Sequence, residues 1–243
     1  MIPELLVTTG KRLWHDALVR HPATHAWVLN LYRAGERHPE HVLDYFPIEA
    51  APDEALRAEM TRHRADEARH AQLYERAVKL LDQPLEDFYG LDVFNNAIRA
   101  CTRESFAIAP VPLMSSGERT RRVAHFLCHA HFLEKRITRS LEFHAEACAR
   151  AAPGGVTSVV GSVLADEERH GRYTAEAARD LLTLGERAAV FAHHEAAERR
   201  ANLLFSTRQV RRFLRRFPEV GTHTERLRFY AGALVMEGEL ALA

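Results

Sequence analysis

Two copies of one short motif constrain what this chain can fold into more than any other feature of its sequence. The first copy, DEARH, covers residues 66–70, and the second, DEERH, covers residues 166–170. Each copy contains a Glu-x-x-His pair, and residues three apart in a helix lie on the same face. The repeat therefore predicts two helices that each present a carboxylate and an imidazole on one side.

Both pairs fall on the apolar stripe of the predicted helix that contains them. At about 100° per residue, Glu67 and His70 share a face with Leu56, Met60, Tyr74, Val78 and Leu81. Glu167 and His170 share a face with Val156, Val160, Val163, Thr174, Ala178 and Leu181. A carboxylate buried beside an imidazole costs free energy unless a partner compensates it. One such pair alone is typical of a solvated surface, whereas two pairs on core stripes indicate a metal site.

The rest of the chain is also predicted to be helical. Its 243 residues include 12 Gly and 10 Pro, most of them between long stretches rich in Ala, Leu, Glu and Arg, which favour helix. No sustained alternation of β-branched residues predicts a strand. We therefore expect an all-α chain with helices at about 3–20, 24–45, 53–82, 91–106, 117–151, 156–183, 186–204, 207–216 and 222–239. The segment 107–116 is expected to be the main crossover, and residues 1–243 are expected to form a single domain because no clear linker divides them.

Composition excludes several classes of function. Lys and Arg together number 33, as do Asp and Glu, so no basic excess points to nucleic acid. No apolar run of the length that crosses a bilayer is present, and no basic start followed by an apolar stretch predicts a signal peptide. Three cysteines without a Cys-x-x-Cys pair do not make a disulfide framework. We expect a cytoplasmic protein with no nucleic-acid or membrane partner.

The duplicated D-E-x-R-H motif resembles the ferritin-like di-iron carboxylate superfamily over about residues 24–183. The resemblance implies a ferritin-like four-helix bundle over this range, with an additional N-terminal helix and a C-terminal helical extension over residues 184–243. It also implies a centre of two Fe ions, or of Mn and Fe, about 3–4 Å apart and held by four Glu and two His. Glu67, His70, Glu167 and His170 match the two motifs of that ligand set.

The same resemblance implies two further Glu ligands, each about 30 residues before a motif Glu and across a helical hairpin from it. Glu36 precedes Glu67 by 31 residues, and Glu134 precedes Glu167 by 33 residues. Glu40 is the alternative to Glu36, because a proline at position 39 could kink that helix. We prefer Glu36 on its spacing.

Glu142 is the alternative to Glu134. If the second hairpin turns at residues 153–155, Glu142 and Glu167 lie at equal heights, whereas Glu134 is displaced by about 10 Å. Against this, Glu134 lies at the edge of the buried stripe of its predicted helix, and Glu142 lies about 80° further round. We prefer Glu134, which predicts that its helix ends before the Pro-Gly-Gly at 153–155.

The charged residues inside each motif are expected to support the ligands. The resemblance implies that Asp66 and Asp166 each accept a hydrogen bond from the ligand His of the other helix, which fixes the tautomer of that His. Arg69 and Arg169 are expected to pair with these carboxylates. Ordinary surface ion pairs are the alternative for all four residues.

Three more residues lie close to predicted ligands. His63, one turn before Glu67, is expected to be a further ligand or a proton donor, or else a structural histidine. An extra His at this offset is also a feature of the arylamine N-oxygenases of the superfamily, although there it precedes the second motif. Tyr74 is expected to be a near-site tyrosine or a core tyrosine with a satisfied hydroxyl. His131 is expected to support Glu134, and most other histidines are expected at the surface.

The form of the motif resembles the hydroxylase subunits of multicomponent monooxygenases and the arylamine N-oxygenases more than iron-storage ferritins. It implies a non-haem di-iron oxygenase or oxidase that uses dioxygen and an external electron donor to oxidise a small organic substrate. The alternatives are a ferroxidase or rubrerythrin-like peroxide-scavenging protein, and a bundle with a structural metal. A cavity walled by Met60, Phe126, Val160 and Val163 would favour the organic substrate. The basic helix at 207–216 predicts a solvated face or the contact of a homodimer.

Overall fold

The described part of the chain is built of α-helices, which confirms the all-α prediction. The computed structural model describes residues 4–42, 45–102, 114–151 and 154–242. Within these ranges no residue is in a strand, and the long elements are α1 (Glu4–Val19), α2 (Pro22–Glu36), α3 (Glu54–Leu80), α4 (Phe94–Thr102), α5 (Ser116–Ala151), α6 (Gly155–Leu181), α7 (Leu184–Arg216) and α8 (His223–Leu242). The predicted crossover at 107–116 lies largely outside the described residues.

Two predicted helix boundaries are wrong. The helix expected over 24–45 ends at Glu36, and a 3₁₀ turn at His38–His41 follows it, because Pro39 has no N–H to continue the α-helical ladder. The helices expected at 186–204 and 207–216 are one continuous helix, α7. Its Ser206 hydroxyl donates to Asn202 Oδ1 at 3.0 Å, one turn earlier, and so does not interrupt the helix.

Polar side chains cap the N-terminal ends of α3 and α7. Asp53 Oδ1 accepts a hydrogen bond from the Leu56 N–H at 2.9 Å and so caps α3. Thr183 and Glu186 form a capping box that starts α7, with only two residues between the end of α6 and the start of α7. Both caps satisfy N–H groups that have no partner inside the helix.

Four helices surround the repeated motifs. Helix α2 packs against α3, α5 packs against α6, and α3 packs against α6. Apolar side chains from all four meet in one core cluster: Ala26, Leu29, Tyr74, Ala77, Val78, Leu141, Val159, Val160 and Val163. Their ferritin-like connection stays a prediction, but these four helices supply the walls of the candidate site.

The remaining helices form a second layer on this core. Trp14 of α1 packs edge-on against Phe213 of α7 and Phe229 of α8, with ring centroids 4.9 and 5.5 Å apart. Arginines of the predicted basic helix pair within the chain, since Arg211 binds Glu237 and Arg216 binds Glu86. None of the described helices combines the length and the apolar character that crossing a membrane needs.

The expectation that most histidines outside the motifs lie at the surface is wrong. Six of them have buried side chains: His15, His25, His38, His129, His144 and His194. Burial disfavours the charged imidazolium. It lowers the pKa of His38 to about 4 and that of His129 to about 3.

These buried histidines predict that stability falls in mild acid. Below the ordinary histidine pKa of 6.5, the unfolded chain takes up protons that His129 in the folded chain does not accept until pH is near 3. The free energy of unfolding should therefore fall as pH drops through this window, by up to about 1.4 kcal/mol per pH unit for each such histidine. Urea titrations at several pH values measure this. His129→Leu should flatten the dependence, and replacement of the exposed His223 by Gln should not; equal pH dependence in His129→Leu and wild type would contradict the explanation.

Candidate metal centre

The six residues predicted as ligands come together at the centre of the four-helix core. Helix α3 supplies Glu67 and His70, and α6 supplies Glu167 and His170. Glu36, at the last position of α2, and Glu134, in the middle of α5, complete the set. All six side chains are buried, with at most 7% of any of these residues exposed.

The ligand atoms form two adjoining groups. In the first, one oxygen or nitrogen from each of Glu36, Glu67, His70 and Glu167 lies within 4.8 Å of the others. In the second, the same holds for His63, Glu67, Glu134 and His170. Glu67 belongs to both groups. Glu167 also lies between them, because one of its oxygens is 3.1 Å from His70 Nδ1 and the other is 3.0 Å from His170 Nδ1.

The rival glutamates are outside the centre. Glu40 is exposed and pairs with Arg37 at 3.0 Å. Glu142 pairs with Arg139 at 2.6 Å, and 38% of its side chain is exposed. The structure thus brings Glu36 and Glu134, and neither alternative, to the buried carboxylates.

Helix α5 ends at Ala151, which confirms that the helix of Glu134 ends before the Pro-Gly-Gly at 153–155, but it ends too close to these residues for an early turn to explain the position of Glu134. A Cβ atom added to Gly171 would lie 3.7 Å from the Cβ of Glu134, so these two residues are level in the α5–α6 pair. Glu167 is one turn from Gly171, about 6 Å along the helix axis. The long glutamate side chains close this offset, and equal height was therefore too strict a criterion.

Aspartates of each motif hold the histidine of the other. His70 Nε2 donates to Asp166 Oδ2, and His170 Nε2 donates to Asp66 Oδ2, at 3.3 Å in both cases. With Nε2 carrying a proton in each ring, Nδ1 faces the carboxylates of the centre, where it donates to them when protonated and would offer its lone pair to a bound metal. This crossed arrangement is the one that the resemblance implies.

Arginines of the motifs join the same crossed network. Arg69 donates to Asp166 Oδ2 at 2.5 Å, and Arg169 donates to Asp66 Oδ2. Burial alone would raise the pKa of Asp66, but the hydrogen bonds from Arg69 and Arg169 hold it below its ordinary value. The four residues therefore link α3 to α6 with ionised carboxylates and are not isolated surface pairs.

His63 is part of the centre. Its Nε2 lies 3.1 Å from Glu67 Oε1 and 3.3 Å from Glu134 Oε1, and its ring stacks on that of His170 with centroids 3.7 Å apart. The Tyr173 hydroxyl lies 2.8 Å from Nδ1 on the other side of the ring. Sequence reasoning missed Tyr173, although its position three residues after His170 puts it next to the site.

Two other expectations need correction. Tyr74 is fully buried, but its hydroxyl has no hydrogen-bond partner among the described residues, so it is not a core tyrosine with a satisfied hydroxyl. Burial and the charge of Glu36 raise its pKa well above the ordinary value.

His131 does not support Glu134. Its Nδ1 donates a hydrogen bond to the backbone oxygen of Gly171 at 2.8 Å, and this bond helps to set the register of α5 against α6.

The buried carboxylates of the centre need protons or cations close to them to compensate their negative charge. Burial and the neighbouring carboxylates raise the pKa of Glu36 and of Glu134 well above the ordinary value. Burial by itself lowers the pKa of His70, but the carboxylates of Glu167 and Glu36 outweigh it and raise the pKa to about 11. Without a metal, these groups thus hold protons that compensate the buried negative charge.

Several buried atoms at the centre make no hydrogen bond of normal geometry to the described residues, although two of them, His70 Nδ1 and Glu167 Oε1, lie 3.1 Å apart. They are His70 Nδ1, Glu134 Oε2 and Glu167 Oε1. A buried polar atom without a partner costs free energy, which coordination of a cation would recover. The residues present therefore fit a metal, and the carboxylate and imidazole donors could hold one in each of the two groups.

Comparisons with protein-family models, with curated proteins and with solved structures each gave no match. A metal and a reaction can therefore be assigned only from the residues of the centre.

The choice between Glu134 and Glu142 predicts a difference in metal content. Glu134→Gln should lower the metal bound per chain, because it removes a carboxylate that faces His63 and Glu167. Glu142→Gln is the matched control on the same helix and should retain the wild-type content. Elemental analysis after anaerobic loading with Fe(II) measures both. Full content in Glu134→Gln with loss in Glu142→Gln would reverse the assignment.

The crossed aspartates predict a second effect on metal binding. Asp166→Ala should free the His70 ring to rotate and weaken metal binding about 10- to 100-fold. Asp180→Ala, at an exposed position on the same helix, is the control and should bind as wild type. Anaerobic competition with a chelator gives both affinities. Unchanged affinity in Asp166→Ala would show that the hydrogen bond from His70 does not orient a ligand.

Proposed function

We propose that this protein is a non-haem di-iron oxidoreductase that uses dioxygen and an external electron donor to oxidise a small organic substrate. The observation that carries the proposal is the buried, nearly symmetric set of four carboxylates and two imidazoles. The two groups of ligand atoms form its two halves, and Glu67 and Glu167 lie next to both of them. Two divalent ions would bring four positive charges to match four carboxylates. When bound, iron in such a set supplies the electron transfer to dioxygen that amino-acid side chains cannot perform.

Each half of the centre has a complete set of donors. Glu36, Glu67 and His70 would hold one ion, with Glu167 reaching across from α6. Glu134, Glu167 and His170 would hold the other, with Glu67 reaching across from α3. Carboxylates can shift between binding one ion and binding two, so the set tolerates a change in the charge of the metals.

His63 makes the two halves unequal. Its Nε2 points at Glu67 and Glu134, and we assign it as an additional nitrogen donor to the second ion. For that role its proton must be on Nδ1, where the hydroxyl oxygen of Tyr173 can accept it. The position equivalent to His63 on α6 is the fully buried Val163, so the first half has no counterpart.

A surface pocket lies beside the second half of the centre. It has a volume of about 440 Å³ and is lined by Pro39, Glu40, His41, Val42, Tyr45, Phe46 and Arg64. The Phe46 ring separates it from His63, with ring centroids 4.9 Å apart. Among its lining residues, Val42, Tyr45 and Phe46 offer apolar surface to an organic molecule, and Glu40, His41 and Arg64 offer polar and charged groups. The residues expected to wall a cavity, Met60, Phe126, Val160 and Val163, are instead packed in the core.

The rate of iron oxidation separates this function from its main alternative, the ferroxidase. Protein loaded anaerobically with about two Fe(II) per chain should take up dioxygen once and then require external reductant. A large excess of Fe(II) should not be oxidised steadily, because the centre would hold its own iron as a cofactor. Oxygen uptake and light scattering measure both properties, with Glu167→Gln as a control that should lose the first uptake.

Sustained linear oxidation of the excess Fe(II), with deposition of ferric mineral, would contradict the proposal and support the ferroxidase. Absence of any oxygen uptake by the loaded protein would support a structural metal.

A further inference from the structure

A second group of side chains with metal-ligating atoms lies between α1, α2 and α5. It consists of His25 from α2 and of His144 and Cys148, which are one turn apart on α5. All three are buried, with 7% of His25, none of His144 and 3% of Cys148 exposed. No carboxylate belongs to this group, so its donors differ from those of the centre described above.

The donor atoms have the spacing of a metal site. His25 Nε2 lies 3.0 Å from His144 Nε2 and 3.6 Å from Cys148 Sγ, and the three atoms lie within 4.8 Å of one another. A tetrahedral zinc site has bonds of about 2.0–2.1 Å to nitrogen and about 2.3 Å to sulfur. Its nitrogens are then about 3.3 Å apart, and nitrogen and sulfur are about 3.6 Å apart. The two separations that involve His25 Nε2 are within a few tenths of an ångström of this geometry.

Neighbouring groups orient one of the ligands. His144 Nδ1, the nitrogen that faces away from the group, lies 3.3 Å from the Tyr32 hydroxyl and 3.4 Å from His15 Nδ1. Either neighbour can accept a hydrogen bond from the Nδ1–H of His144, which leaves the lone pair of Nε2 for a metal. A hydrogen bond of this kind to the far nitrogen is typical of metal-bound histidines.

The protonation of the group also suits a cation. Burial lowers the pKa of His25 to about 4 and that of His144 well below its ordinary value, so both rings are neutral near pH 7. Burial raises the pKa of the Cys148 thiol to about 11. A bound cation would reverse that last effect, because a coordinated thiol loses its proton.

We propose that His25, His144 and Cys148 form a binding site for one Zn²⁺, separate from the carboxylate centre. As the Zn–S bond forms, the S–H bond of Cys148 breaks and its proton passes to solvent, with no change of oxidation state. Two imidazoles and a thiolate suit Zn²⁺ better than the hard cations that carboxylates bind. The ion would tie α2 to α5, and through His15 it would also help to hold α1.

Titration with Co²⁺ as a probe for zinc tests the site in the complete chain. Cobalt bound to a thiolate has an intense charge-transfer band in the near ultraviolet, and the carboxylate centre contains no cysteine that could produce it. At saturation the reduced, metal-free protein should show a band whose amplitude corresponds to about one thiolate-bound Co²⁺ per chain, and Zn²⁺ should abolish it by displacement. Absence of the band at saturating Co²⁺ would overturn the proposal.

Variants identify the ligands. Cys148→Ser should remove the band, and His25→Gln should weaken Co²⁺ binding at least about tenfold. The matched control is Cys128→Ser, a buried cysteine of the same helix outside the group, and Cys101→Ser controls for the half-buried thiol; both should keep the band. Glu167→Gln should keep it as well, which separates this site from the carboxylate centre. A band that survives Cys148→Ser, or disappears in Cys128→Ser, would overturn the assignment.

Discussion

The burial of four carboxylates inside one helical core is the constraint on which the rest of the structure depends. Like charges at these distances repel strongly in a medium of low polarity, and each carboxylate also loses its hydration. The metal-free chain compensates with protons, as the raised pKa values of Glu36, Glu134 and His70 indicate. Cations would provide the same compensation and would also give partners to the unpaired atoms at the centre.

Crossed contacts between α3 and α6 hold the centre in place. The aspartate of each motif binds the histidine and the arginine of the other, so neither helix can rotate or slide without breaking both sets of bonds. The two halves of the centre are not identical. His63 has the apolar Val163 as its counterpart, and Glu36 ends a helix whereas Glu134 lies within one. The approximate symmetry thus supplies the ligands, and the departures from it make the two positions chemically distinct.

Buried histidines lie in three different environments in this molecule. At the centre, the aspartates of the motifs bind Nε2 of His70 and His170, and Nδ1 of both rings faces the glutamates. Between α1, α2 and α5, histidine is neutral and lies beside a thiol and a phenol, in the group of His25, His144 and Cys148. Elsewhere, as at His129, it is buried and keeps a low pKa through desolvation. The same side chain thus takes its protonation state from its surroundings, which is why the large number of histidines did not by itself indicate a function.

The sequence by itself determined that the chain is helical, where the two motifs lie and which helix face carries each candidate ligand, because a helix repeats every 3.6 residues and its apolar stripe marks the core. That rule was sufficient to favour Glu134 over Glu142. Periodicity describes one helix at a time, however, and says nothing about how far that helix extends past a neighbour. Only the tertiary structure placed Glu134 level with Gly171, set Phe46 beside His63 and brought His25 to His144 and Cys148, which are more than 100 residues further along the chain. These contacts depend on the relative heights and orientations of packed helices, which the whole core decides together.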